Sequence, residues 1–236
     1  MKKLLIIVGV AAVIASLVVG AAYAFQQLRD DDENLATQAP EIPTATGGTA
    51  TNNSGVGSGV RKFVIEPSES SAKYVVEETL RGLNSTAVGT STAITGEIHL
   101  TRDGLSRDTP SRFVVDLNAL RSDEGMRDNY IKQNTLQTSR FPNAEFVIES
   151  IDGFPNNYTE NSEIQLTLHG SLRVKDVTRP VSWTVLARQS GNTLTATADT
   201  DIKFSQFNMT PPTVPIATVR DDIHLQVVLV AREPAS

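Results

Sequence analysis

The three histidines, His99, His169 and His224, are the side chains best suited to metal binding or general acid–base chemistry. Each stands inside an alternating apolar pattern, as His169 does between Leu168 and Gly170. Because successive side chains of a strand point to opposite faces, we expect all three imidazoles to point away from the apolar side. The pattern therefore does not predict a metal site or a catalytic triad inside an apolar interior.

Other catalytic signatures are weak. The chain has no cysteine, which excludes disulfides, thiolate metal sites and cysteine nucleophiles. The run GTSTA at 89–93 lacks the last glycine of the G-x-S-x-G nucleophile elbow, and no helix is expected to follow it. For an enzyme, the strongest remaining candidates are Arg127, Asp128 and Tyr130 in a polar stretch. We expect no catalytic residue, no metal and no cofactor.

The charge of the chain excludes one class of partner. Its 236 residues carry a formal net charge of -6, with a pI near 5.1. Nucleic acid binding depends on Lys and Arg side chains that neutralise phosphates, so no nucleic acid partner is expected.

The N-terminus carries an export signal. Lys2 and Lys3 precede an apolar run over 4–24, and AYAF at 22–25 offers a signal-peptidase site. The run is also long enough for a membrane-spanning anchor. Both interpretations stay open. Both predict an exported domain, either anchored in the cell membrane and facing outward, or periplasmic or secreted after cleavage.

Composition divides the remainder into a linker and a domain. Residues 30–59 are rich in Thr, Ala, Gly, Ser, Asn and Pro, with few large apolar side chains, which predicts a flexible linker. The predicted boundaries are a signal or anchor at 1–24, a disordered linker at 25–60 and a folded domain at 61–233.

Within that domain, apolar and polar residues alternate, which predicts amphipathic antiparallel strands rather than a parallel sheet buried on both faces. A polar stretch at 122–141 predicts one inserted helix, capped by Ser122 or Asp123. The long strands are compatible with a sandwich or a closed barrel. The expected strands are Lys62–Ile65, Ser71–Thr79, Ser85–Ile94, Gly96–Thr101, Arg112–Asn118, Ala144–Asp152, Glu163–Lys175, Val181–Gln189, Thr193–Phe204 and Asp221–Arg232.

The apolar side of these strands is the candidate site. Periodicity does not distinguish a filled core from the wall of a cavity, so both remain open. If a cavity exists, strand parity predicts that it is lined by Tyr74, Val76, Ile98, Leu100, Phe113, Val115, Leu117, Phe146, Ile148, Leu166, Leu168, Leu172, Trp183, Val185, Leu194, Ile202 and Phe204.

Spaced motifs along this domain resemble those of the YceI family of bacterial exported lipid-binding proteins. FVIEPSESSAKYVVEE at 63–78 is similar to the family's opening strands, and DDIHLQVVLVA at 221–231 to its closing strand. The strand, Arg-Asp helix and following strand at 116–151 and the hairpin at 166–185 also resemble the family pattern. The matching positions there are Arg127, Asp128, Phe141, Pro142, Phe146, Leu172, Val177, Thr178, Pro180 and Val181.

The resemblance implies an all-β fold, an eight-stranded antiparallel lipocalin-like barrel with one inserted helical segment. It also implies non-enzymatic binding or transport of a polyisoprenoid-like or other amphiphilic lipid in an apolar cavity. The alternative is a filled-core module that binds an envelope partner without a lipid. Expected partners are the lipid and, through the N-terminal segment, the membrane; a homodimer is left open.

Overall fold

The computed structural model describes residues 35–42 and 59–234. The predicted signal or anchor and most of the predicted linker lie outside these residues. None of the described helices is both long and apolar enough to span a membrane.

Antiparallel strands dominate residues 59–234. The strands are β1 (Arg61–Ile65), β2 (Ser71–Leu80), β3 (Leu83–Ser91), β4 (Ile94–Thr101), β5 (Gly104–Leu105), β6 (Ser111–Asp116), β7 (Arg121–Ser122), β8 (Asn143–Asp152), β9 (Ile164–Val174), β10 (Val177–Ser190), β11 (Thr193–Lys203), β12 (Thr213–Val214), β13 (Ala217–Val219) and β14 (Asp222–Arg232).

Within this described domain the strands close into an eight-stranded antiparallel barrel, which resolves the choice between sandwich and barrel. The order runs β1, β4, β6, β8, β9, β10, β11 and β14, and β14 returns to β1 through the pairs Val64–Arg232 and Ile65–Ala231. A turn at Pro67–Glu69 bends β1 into β2, which also pairs with β14 and carries β3 on its other side. Closure leaves these eight strands without a free edge in their ring.

The β9–β10 hairpin shows how alternation sets the two faces. Strand β10 already begins at Val177, so the predicted turn over 176–180 was wrong in its extent. The reversal needs only Lys175 and Asp176, with Lys175 in the left-handed region at φ 57°. Pro180, which donates no backbone hydrogen bond, lies exposed within the strand opposite Ser171.

Helix α1 spans Gly125–Tyr130 and continues as a wider π-turn over Ile131–Thr135. The prediction of one helix is confirmed, but it is shorter than the predicted stretch 122–141. Its N-cap is Glu124, whose side chain accepts from the backbone N of Met126, rather than Ser122 or Asp123. Gly125 therefore opens the helix.

Part of the predicted linker contacts the barrel. Residues 36–41 lie along the outer face of β10, β11 and β14, with hydrogen bonds to β11 and β14 and an ion pair to Arg188 of β10, and Ala39 is only 3% exposed. For these six residues the prediction of a flexible linker was wrong. Its composition gave no signal of this, because its hydrogen bonds are made by backbone groups.

The core lies inside the barrel. It is one apolar cluster whose largest fully buried members are Phe63, Phe207 and Ile94. Strands β1, β4, β8, β9, β10, β11 and β14 contribute alternate side chains to it, as the period-two pattern requires.

Candidate ligand-binding interior

The predicted lining residues point inward with one exception. All of them except Leu117 belong to the apolar cluster or pack against it. Leu117 is buried, but it lies in the 3-10 turn Leu117–Ala119, where its backbone N donates to the carbonyl of Pro142. It was assigned to a strand that ends at Asp116, so strand parity was extended one residue too far.

Three strands contribute inward-facing residues that the predicted lining did not include: β1, β14 and, through Ala87, β3. In β1, Phe63 and Ile65 are fully buried in the cluster. In β14, His224 was assigned to the outer face, but no residue of the strand was included in the predicted lining because apolar residues occupy both parities from Val227 to Ala231. The signal that marks its outer face is Gln226, the one uncharged polar side chain in the middle of the strand.

The middle of the β2–β14 wall is less buried than its ends. Inward-pointing Leu225 and Val227 are half-buried, whereas Ile223 and Leu229 on either side are fully buried. The cross-strand partner of Leu225 is Tyr74, which is also half-buried. A side chain that points into a close-packed core loses almost all its accessible surface. Half-burial at mid-strand therefore indicates open space against this wall.

The opposite wall is closely packed around Phe146. Its ring meets Trp183 edge-on, with ring centroids 5.8 Å apart and an interplanar angle of 61°. It also lies across Gly170, where an added Cβ would stand 2.7 Å from the ring and 2.1 Å from the carbonyl oxygen of Val147. Glycine is therefore required at this position for the aromatic pair to form.

Tyr74 occupies a similar place on its own wall. Its ring covers Gly89, the facing residue of β3, whose added Cβ would stand 2.2 Å from the ring. The hydroxyl is buried without a hydrogen-bond partner among the described residues, as is the indole Nε1 of Trp183. Burial raises the pKa of Tyr74 above its ordinary value, so the phenol stays protonated and acts as a donor.

A charged pair lies toward one end of the interior. Glu78 shares the inner parity of Tyr74 and Val76, is 6% exposed, and accepts a hydrogen bond at 3.1 Å from Arg127 of α1. Asp123 also binds this guanidinium. Burial of Arg127 lowers its pKa, but the two carboxylates outweigh that effect and the pKa is raised. No inward-facing carboxylate was predicted, although simple alternation from Val76 identifies Glu78.

The residues considered for catalysis have structural partners or face solvent. Asp128 accepts hydrogen bonds from the backbone N and the hydroxyl of Ser122, which ties α1 to β7. Tyr130 is 37% exposed.

The histidines lie on the outer parity, as predicted. His169 contacts Ser182 and Asp152, and His224 contacts two aspartates of β11. His99 is buried at 7% exposure, and its Nε2 lies 3.5 Å from Glu97. Within residues 35–42 and 59–234, no group of three acidic or histidine side chains is arranged to hold a metal ion.

Comparison with known proteins places this architecture. The family model of the YceI-like domain matches residues 63–231, while no curated protein sequence matches the chain. BcnA of Burkholderia cenocepacia is 18% identical, with a TM-score of 0.56 over 70% of this chain and 98% of that one.

Two further solved structures share the fold. A polyisoprenoid binding domain from Saccharophagus degradans, implicated in plant cell wall breakdown, is 12% identical, with a TM-score of 0.56 over 73% of this chain and 98% of that one. The YceI protein of Campylobacter jejuni is 14% identical, with a TM-score of 0.50 over 62% and 85% of the two chains.

Proposed function

This chain belongs to the YceI-like domain family, and on that premise we propose that its barrel binds one amphiphilic lipid, with the apolar chain inside. A polyisoprenoid-like lipid is the preferred class, since a solved relative of this fold is a polyisoprenoid binding domain. A hydrocarbon chain needs only shape and apolar lining, and its burial stabilises by about 25 cal/mol per Å².

The half-buried centre of the β2–β14 wall carries the proposal. Tyr74, Leu225 and Val227 point inward yet keep accessible surface, between fully buried neighbours. Apolar surface left accessible inside a barrel is a favourable contact for a lipid chain. Eight strands enclose an interior wide enough for one small ligand.

The two unpaired donors indicate that the ligand also carries an oxygen atom. Leu225 of β14 pairs with Tyr74 of β2 on one side and with Thr200 of β11 on the other. Thr184 of β10 pairs with Asp199 of β11, so the neighbouring Trp183 lies opposite Thr200. Tyr74 and Trp183 therefore belong to one row of the inner wall. A buried donor without a partner costs about 1–3 kcal/mol, so an ether, carbonyl, phenol or phosphate oxygen of the lipid would offset that cost.

We place ligand entry at the end of the barrel nearest Glu78. The β2–β3 turn and the β12–β13 turn meet there, since the backbone N of Arg81 donates to the carbonyl of Ile216 at 2.7 Å. Leu83 and Ile216 at these turns are 73% and 56% exposed. Exposed apolar tips beside charged side chains suit contact with a lipid aggregate or membrane surface.

The proposed role is binding or transport without catalysis, outside the cytoplasmic membrane. It is supported by the roles of the charged residues near the interior, since Glu78, Arg127 and Asp128 are engaged with one another or with the fold. The location is supported by Lys2 and Lys3 ahead of the apolar run 4–24.

Native mass spectrometry of the full chain tests the proposal, with Tyr74→Phe as a matched variant that removes only the unpaired hydroxyl. We expect a mass increment of one lipid per chain, released by organic extraction. Tyr74→Phe should keep the fold and lower lipid affinity about tenfold. A bare chain that also fails to take up an added polyprenyl amphiphile would favour the filled-core, partner-binding module instead.

A further inference from the structure

The outer face of β10, β11 and β14 contains polar side chains that are buried as completely as the core. Thr195, Thr197 and Gln226 are 2%, 1% and 2% exposed. By parity they point away from the interior, where a barrel strand normally meets water. Their burial comes from residues 36–41, which we call the N-terminal strap.

The hydrogen bonds to the strap all reach its backbone. The amide of Gln226 makes two, accepting from the N of Ala36 at 2.7 Å and donating to its carbonyl at 2.8 Å. Thr197 donates to the carbonyl of Gln38 and Thr195 to that of Pro40, both at 2.7 Å. Hydrogen bonds to every second residue, Ala36, Gln38 and Pro40, fit an extended peptide, in which alternate residues face the same side.

The strap meets one carboxylate and one small pocket. The N of Ala39 donates to Glu163 Oε2 at 3.0 Å, and its methyl group is buried. The next residue, Pro40, restricts Ala39 to extended conformations, so little backbone entropy is lost on docking. An ion pair also holds this end of the strap, since Glu41 Oε1 lies 3.5 Å from Arg188 Nη2.

From these contacts we propose that the outer face of β10, β11 and β14 is a binding groove for an extended peptide with a small residue followed by proline. Its occupant is the chain's own strap, bound in cis. The groove recognises backbone groups and one methyl-sized side chain, so it accepts the same segment supplied in trans once the cis copy is displaced. The docked strap fixes this part of the chain to the barrel wall at Gln226, independently of what the interior binds.

Hydrogen exchange on the full chain at single-residue resolution tests whether the strap is docked on the barrel. The amides of Ala36 and Ala39 should exchange at least about tenfold more slowly than that of the exposed Thr37. Gln226→Leu should remove the protection of Ala36. Thr184→Val, at an exposed position of the same outer face that is not among the hydrogen-bond partners of the strap, serves as the control and should leave it unchanged.

A peptide titration tests the groove. Ala39→Glu places a carboxylate in the methyl pocket beside Glu163 and frees the groove in the full chain. A labelled peptide LATQAPEI, copied from residues 35–42, should bind this variant about tenfold more tightly than the wild type, whose groove is occupied in cis. Adding the conservative Thr197→Val to Ala39→Glu should weaken peptide binding about fivefold.

Three results would overturn the proposal. The first is rapid exchange of Ala36 and Ala39 in the wild type. The second is peptide binding to Ala39→Glu that is insensitive to both Thr197→Val and Gln226→Leu. The third is protection that disappears on dilution, which would make a second copy of the chain the occupant.

Discussion

Two walls of the same barrel use an aromatic ring over a glycine for different purposes. On the β8–β9–β10 wall, Phe146 covers Gly170 and packs edge-on against Trp183, and all three of these residues are buried. On the β2–β14 wall, Tyr74 covers Gly89 but stays half-buried, next to the pair of Glu78 and Arg127. The first arrangement stabilises the fold and holds the Trp183 indole in place, and the second leaves apolar surface and the Tyr74 hydroxyl for the proposed ligand.

The largest expected effect is on the packed wall. Phe146→Ala removes the edge-on contact with Trp183 and leaves a gap beside Gly170, so we expect a loss of about 3–5 kcal/mol in the free energy of unfolding. Chemical denaturation measures it. Leu83→Ala, at a 73% exposed apolar position, is the control and should cost under about 0.5 kcal/mol.

The glycines allow the two walls to be compared by the same substitution. In Gly170→Ala the new methyl group would meet the backbone oxygen of Val147 at 2.1 Å, and backbone shifts in a packed sheet cost about 3 kcal/mol. In Gly89→Ala only the Tyr74 ring must move, toward the open side, at about 1 kcal/mol. Equal losses in thermal and chemical denaturation would contradict the difference between the walls.

A third comparison uses Glu78 and Glu77, which are adjacent in β2 and lie on opposite faces of it. Glu78→Gln leaves Arg127 with Asp123 as its remaining carboxylate partner in a largely buried site, and we expect a loss of about 2 kcal/mol. Glu77→Gln is the matched control, because Glu77 pairs with Arg220 on the solvent side, where both side chains are mostly exposed. Its cost should stay below about 0.5 kcal/mol.

The smallest expected effect depends on pH and concerns Glu145, on the outer face of β8. The hydrogen bond from Arg173, with its charge and that of Arg112, holds the pKa of Glu145 below its ordinary value. Ionised Glu145 therefore stabilises the native state at neutral pH. Glu145→Gln should cost less than about 1 kcal/mol at pH 7.

That difference between wild type and Glu145→Gln should shrink as the pH falls below about 4.5 and through the lowered native pKa, where the carboxylate becomes protonated in both states. Denaturation at pH 7, 5 and 3 measures it. A difference that grows toward acid would mean that the ion pairs of Glu145 do not stabilise the fold.

The inner face of one wall could be identified from the sequence and that of the other could not, and the reason is physical. Around Phe146 and Trp183 the inner parity of each strand is apolar and the outer parity is mostly polar, so alternation identifies the inner face. In β14 apolar residues occupy both parities from Val227 to Ala231, so alternation does not identify the inner face there. The hydrogen bonds of the strap use its backbone groups, which leave no trace in composition.

The burial of Glu78 and the half-burial of Leu225 were not predicted, for two other reasons. Glu78 follows the parity of Tyr74 and Val76, but a charged residue is rarely buried without a partner, and Arg127 is about 50 residues away in the chain. The accessible surface at Leu225 depends on how far the walls stand apart. Barrel closure determines that spacing, and a local pattern does not contain it.

The most direct test of the account uses Trp183, the single tryptophan of the chain. Its indole lies on the inner wall, so contact quenching by a lipid with a brominated chain reports entry into the barrel. We expect the full chain, freed of lipid by extraction, to show saturable quenching at one brominated polyisoprenoid or acyl amphiphile per chain, reversed by the unbrominated lipid. Unquenched Trp183 fluorescence at saturating lipid would contradict a lipid-binding interior.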